Sequence, residues 1–127
     1  MAKDTKNFKA SEFACKCGCE NKIDQRVIDM AQIIRDELGV PVKVNSGYRC
    51  PEHNEKVGGV KGSKHTLGHA ADLSSSVGAK AMFEAIKRLH QESKLPMLGY
   101  CIYYSKRNFC HVDIDKRASG NIWEIRK

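Results

Sequence analysis

Ser63-Lys64-His65-Thr66-Leu67-Gly68-His69-Ala70-Ala71-Asp72, answered far along the chain by Phe109-Cys110-His111-Val112-Asp113, is the stretch on which the reading of this sequence turns. Two histidines and one carboxylate are a standard three-ligand set for a catalytic zinc ion. Neutral imidazoles with a single carboxylate leave such a centre positively charged, so the ion stays a strong Lewis acid with a fourth position open to water. Gly68 lets the chain turn sharply between His65 and Asp72, and Ala70 and Ala71 keep bulk away from a strand carrying Asp72. His111 and Asp113 are two apart on a predicted strand and share a face, while Cys110 points to the opposite, core side. Spacing alone leaves the site open. Scattered histidines are ordinarily surface or core residues, and His65 with His69 can form an i, i+4 pair on a helix, although Gly68 between them argues against that helix. His69 and His90 read as structural or solvent-exposed, and Ser63 as a hydrogen-bonding loop residue rather than a nucleophile.

Working outward, the spacing of Val27, Ala31, Ile34 and Leu38 predicts an amphipathic helix from about Asp24 to Leu38. Asp24 is its natural N-cap, and Gly39 with Pro41 its stop. Val42 and Val44 read as a short strand ending at Asn45-Ser46-Gly47. Pro51 to Val57 suits a brief helix, and Gly58 to Ser63 a loop. Ala70 to Leu73 reads as a strand of small residues. Met82, Ile86 and Leu89 mark a second helix over about Gly78 to His90. Leu98 to Tyr104 and Phe109 to Ile114 flank the polar turn Ser105-Lys106-Arg107-Asn108, which predicts an antiparallel hairpin. Ile122 to Ile125 adds a last short strand. Helices and antiparallel strands in irregular order give an α+β fold.

The chain has 127 residues, 41% hydrophobic and 29% charged, which fits a folded domain rather than a disordered tail. No apolar run approaches the ~20 residues of a membrane-spanning helix. Met1 to Ala10 is polar and lysine-rich, reads as a flexible or loosely docked arm, and does not resemble a signal peptide. Synthesis in the cytoplasm without a signal peptide is therefore expected. A net charge of +7 suits a polyanionic partner (nucleic acid, an acidic membrane surface or an anionic wall) or serves solubility alone. A nucleic-acid binder built on the cysteines would need paired C-x-x-C and H-x-x-x-H spacing and a recognition helix, and neither is evident. No nucleic-acid partner is expected, and a monomer is.

The segment from Ser63 to Asp72 resembles the S-x-H-x-x-G-x-A-x-D motif of the zinc D-alanyl-D-alanine carboxypeptidases, the M15 peptidases, at every fixed position. Phe109 to Asp113 is similar to the segment holding that family's late histidine ligand. Val44-Asn45-Ser46-Gly47-Tyr48-Arg49 resembles the part that carries its substrate-binding arginine. Cys50-Pro51-Glu52-His53-Asn54 and Val57-Gly58-Gly59 resemble a small subgroup with phage and bacterial cell-wall hydrolases. The similarity runs from about Phe13 to Asp115. It implies zinc ligands His65, Asp72 and His111, and a small antiparallel sheet cradling the metal in a fold shared with the hedgehog signalling domain. It further implies one zinc peptidase domain over residues 1–127, acting on peptidoglycan stem peptides as a carboxypeptidase or an endolysin-type enzyme. Such an enzyme would be released during phage lysis or carried by a virion. Arg49 would hold a carboxylate or a developing oxyanion, or else form a surface salt bridge.

One position departs from the family pattern. Many relatives carry Asp or Glu three residues before the last ligand, where this chain has Asn108, which cannot act as a base. Asp113 is the replacement base expected here, against the alternative that it orients His111 or pairs with a lysine or arginine. His53 is the next candidate, against a plain surface histidine. The missing acid keeps a second reading open, a non-catalytic zinc-binding module of the same fold that binds cell wall or a protein partner. Finally, Cys15-Lys16-Cys17-Gly18-Cys19 with Cys50 offers four thiolates for a second, structural zinc ion. C-x-C is less typical of such sites than C-x-x-C, so disulfides formed after export, or free buried thiols, are the favoured readings.

Overall fold

The computed structural model describes residues 1–127. Helix α1 (Gln25–Leu38) begins where the Asp24 carboxylate accepts the Arg26 amide at 2.9 Å, and ends at Gly39 in the left-handed region. Its buried face is Val27, Ile28, Met30, Ala31 and Ile34, the stripe that a 3.6-residue period demands. Each of the larger of these side chains contributes about 1.5–3 kcal/mol when wholly withdrawn from water. Helix α2 is the short Pro51–Lys56, with proline in its first turn where no amide is needed. Helix α3 (Ala79–Gln91) buries Met82, Phe83, Ala85, Ile86 and Leu89.

Strands β1 (Val42–Ser46), β2 (Ala70–Ser75), β3 (Tyr100–Tyr104), β4 (Phe109–Asp113) and β5 (Trp123–Arg126) form one sheet in the order β1-β2-β4-β3-β5. The first four pair antiparallel, and β5 joins the β3 edge in parallel, so the sheet is mixed rather than purely antiparallel. The β3–β4 hairpin turns where expected, with Asn108 at φ 59°. Asn108 has a structural task there. Its Oδ1 accepts the Ala79 amide at 2.8 Å and so supplies the side-chain cap that α3, preceded by Gly78, lacks locally.

Alternation along the strands separates two faces. Ala71, Leu73, Cys101, Cys110 and Val112 join the core with α1 and α3. Asp72, His111 and Asp113 lie on the other face, with Asp72 directly across from His111 in the β2–β4 register. The first ten residues, read as a flexible or loosely docked arm, have contacts with α1 and the core. Phe8 is buried, its ring edge-on to Phe13 at 5.7 Å, and Gln32 of α1 receives the Thr5 hydroxyl and the Asn7 amide. One aromatic side chain within a polar segment carries too little periodicity to announce this. No helix is long and apolar enough to cross a membrane.

Candidate metal centre

His65 reaches the polar face of the sheet from a 3-10 turn, Lys64–Leu67, which Ser63 caps by accepting the His65 amide at 3.2 Å. The turn ends at Gly68, φ +74°, where a β-carbon would fall 2.0 Å from the Lys22 carbonyl oxygen. Only glycine supplies both the left-handed conformation and the clearance. The chain then enters β2 and delivers Asp72 opposite His111.

Asp72 Oδ1 lies 3.2 Å from His65 Nε2 and 3.1 Å from His111 Nδ1, and the three ligand atoms are all within 4.8 Å of one another. Zinc bonds of about 2.0–2.1 Å to such donors place the corners of a tetrahedron about 3.4 Å apart, so this donor set fits the ion. The outward ring nitrogens are fixed as well. His65 Nδ1 meets the Gly47 carbonyl oxygen at 2.7 Å, and His111 Nε2 meets Asp113 Oδ2 at 2.8 Å. With those two nitrogens donating, the nitrogens facing Asp72 are left with free lone pairs for a metal.

The electrostatics set the proton that a metal has to displace from the nitrogens facing Asp72. Burial alone would raise the Asp72 pKa, but hydrogen bonds from His111 and His65 outweigh it and hold the carboxylate well below its ordinary range. Burial alone would lower the pKa of His111, yet its bonds to Asp113 and Asp72 push it up to about 9. Asp113 is held low in turn, His111 and Arg117 outweighing its burial.

Asp113, expected as the base or as the residue that orients His111, contacts the ligand histidine directly. It lies across the His111 ring from Asp72, is wholly buried, and has both oxygens engaged. Oδ2 accepts from His111 Nε2 and from Arg117 Nη2 at 2.9 Å, and Oδ1 accepts the Asp115 amide at 3.1 Å and Arg117 Nη1 at 3.2 Å. Asp113 shares the strand face of His111 and meets the ring nitrogen that points away from Asp72. This is the geometry of a carboxylate that orients His111.

Arg49 edges the same centre, with Nη2 3.7 Å from Asp72 Oδ2. Its Nε donates to Ser46 Oγ at 3.0 Å and its Nη1 to Asn54 Oδ1 at 2.8 Å, while Asn54 donates to the Val60 carbonyl at 3.0 Å. A β-carbon on Gly59 would sit 2.1 Å from Asn54 Oδ1 and 2.7 Å from Arg49 Nη1, so this close approach needs a residue without a side chain. The cleft around the centre encloses about 790 Å³, and Arg49, His53, Lys64, Tyr104, Arg107 and Arg117 are among its lining residues. Asp72 is the one carboxylate lining it. A concave site with this charge suits an anionic ligand.

His53 belongs to α2 and lines the cleft, as a base would need to. His69 points away from the centre and pairs with Asp115 at 3.0 Å. Cys110 is buried on the core face, with Sγ donating to the Ala79 carbonyl at 3.4 Å. Asn54 and Arg117 were not singled out from the sequence. Asn54 fell within a stretch noted for resemblance only, and Arg117 follows β4 in a segment with no periodicity to place it.

Residues 6–113 match the family described as peptidase M15. The zinc D-Ala-D-Ala carboxypeptidase of Streptomyces albus G is 41% identical to this chain over 58 residues, which are 44% of this chain and 23% of that protein. The match thus spans about a quarter of that relative's length.

Proposed function

Because the chain belongs to the peptidase M15 family, we propose that it is a zinc-dependent peptidase acting on peptide bonds of bacterial cell-wall peptidoglycan. The observation that carries the proposal is the His65, Asp72 and His111 centre, with both imidazole tautomers held by Gly47 and Asp113, set in a cationic cleft. When bound, zinc supplies Lewis acidity towards the peptide carbonyl and the attacking water.

The remaining work falls to side chains. Arg49, braced by Ser46 and Asn54, has donors left to hold a substrate carboxylate or a developing oxyanion. Arg107, Lys64 and Arg117 along the cleft add attraction for the carboxylates of stem peptides. Asp113 is a positioning residue that keeps His111 in the ligating tautomer. His53, whose imidazole can take up and return a proton, is the base that the cleft offers. We extend the reading to substrate stems of the D-Ala-D-Ala type and to an endolysin-like release at phage lysis, on the family resemblance alone.

Incubating purified muropeptides with the protein, with and without a chelator, and weighing the products tests this reading. Loss of one terminal residue marks a carboxypeptidase, and a split stem or cross-link marks an endopeptidase. A second reading, a binding module that keeps metal and fold, is favoured by the lack of any lining carboxylate besides Asp72. It predicts intact muropeptides in the presence of fully metal-loaded protein.

A further inference from the structure

The other cluster of metal-ligating side chains lies outside the histidine centre. The Sγ atoms of Cys15, Cys17, Cys19 and Cys50 are all within 4.8 Å of one another. Cys15 and Cys17 are 3.2 Å apart, Cys17 and Cys50 3.5 Å, and Cys15 and Cys50 3.8 Å. A tetrahedron of zinc–thiolate bonds of about 2.3 Å has edges of about 3.8 Å. The separations of these sulfurs exceed the ~2.05 Å of an S–S bond and match thiolates around one ion.

The spacing that argues against a metal in the sequence is overcome by a turn. Along a strand, alternate residues would hold their sulfurs about 6.7 Å apart. Instead the Gly18 amide donates to the Cys15 carbonyl at 3.1 Å, and Gly18 takes φ +85°. The chain doubles back within five residues and gathers three sulfurs around one point. Cys50 then supplies the fourth from a different part of the fold, and its amide donates to Cys15 Sγ at 3.4 Å, a bond that favours the thiolate form.

We propose that Cys15, Cys17, Cys19 and Cys50 hold a second, structural zinc ion that clamps the 15–19 turn onto the segment carrying Arg49. Binding releases the thiol protons and forms four Zn–S bonds, with no oxidation of the cysteines. Four thiolate ligands close the coordination sphere, so this ion has no position for substrate. Its reach into the cleft is through the chain. In the segment from Gly47 to Cys50, the Gly47 carbonyl holds His65 Nδ1, and the Tyr48 amide donates to Phe13 at 2.7 Å. The Arg49 amide donates to the His65 carbonyl at 3.0 Å, and Cys50 enters the thiolate cluster. Fixing Cys50 therefore fixes the backbone that orients a histidine ligand and aims Arg49.

The test is metal content and cobalt spectroscopy on the full chain, and it does not depend on hydrolysis. The wild-type protein should carry two zinc ions per chain. The His65→Ala/His111→Ala variant should keep one, and its cobalt-substituted form should show thiolate-to-cobalt charge-transfer absorption. Cys17→Ser/Cys19→Ser should lose the thiolate-bound ion and that absorption. Should this variant not fold, the cobalt spectrum of the histidine variant decides by itself. No metal and no charge-transfer band in the histidine variant would overturn the proposal. So would an intact mass of the wild-type protein lowered by the hydrogens of disulfides at these four positions.

Discussion

Replacing Asp113 by Asn separates an orienting carboxylate from a base, because the structure makes the substitution change one proton's place. Asp113 accepts four hydrogen bonds, two on each oxygen, from His111, Arg117 and the Asp115 amide. An amide has one oxygen and one NH2 group, so it must turn two donors against donors. If the NH2 replaces Oδ2, His111 Nε2 has to become an acceptor. The ring proton then moves to Nδ1, the nitrogen that faces Asp72, and no lone pair remains there for the metal. If the NH2 replaces Oδ1, it opposes Arg117 Nη1 and the Asp115 amide, and His111 keeps only a neutral partner. Loss of such an orienting carboxylate costs about 10- to 100-fold in metal affinity, or about 1.4–2.7 kcal/mol. The assay is zinc affinity by competition with a chromophoric chelator, read beside turnover of zinc-saturated protein. The expected result is weakened zinc binding, with turnover largely restored when zinc is in excess. Unchanged zinc affinity with turnover reduced about 10²- to 10⁴-fold would refute the reasoning and return Asp113 to the role of base.

His65→Ala, Asp72→Ala and His111→Ala should each lose the histidine-centre zinc, and a chelator should abolish wild-type activity until zinc is restored; unchanged metal content in all three variants would exclude the centre. Arg49→Lys should keep both the fold and the metal but lower turnover about 10²-fold, because a point charge cannot replace the braced guanidinium; a wild-type rate removes Arg49 from the mechanism. Asp24→Ala should cost about 1 kcal/mol of stability near neutrality by removing the α1 cap, as measured by urea denaturation. The hydrogen bond from Arg26 lowers the Asp24 pKa below its ordinary 3.8. The contribution is therefore fully present above 3.8 and fades as pH falls through the lower folded value. A gap between wild type and variant that stays undiminished in acid would contradict this.

The sequence by itself determined the elements whose pattern is local. The period of Val27, Ala31 and Ile34, capped by Asp24 and stopped by Gly39, specifies α1 without reference to the rest of the chain. The polar turn from Ser105 to Asn108 between two apolar runs specifies the hairpin, and alternation along β4 sends Cys110 inward and His111 outward. The motif from Ser63 to Asp72 also carried its own turn, because Gly68 takes the left-handed conformation that ends it. Tertiary structure decided what depends on residues far apart in sequence. Strand alternation gave Asp113 the same face as His111, but only the β2–β4 register and Arg117 show on which side of the imidazole each carboxylate lies. Nothing local tells that Asn108 caps α3, that Phe8 reaches the core, or that β5 runs parallel to β3. The thiolates divide in the same way. Sequence gives four cysteines at an unpromising spacing, whereas a turn at Gly18 and the approach of Cys50 bring their sulfurs to one point. The physical reason is range: periodicity and turn chemistry act over a few residues, while ligand geometry is fixed by packing between segments that the chain joins only through its fold.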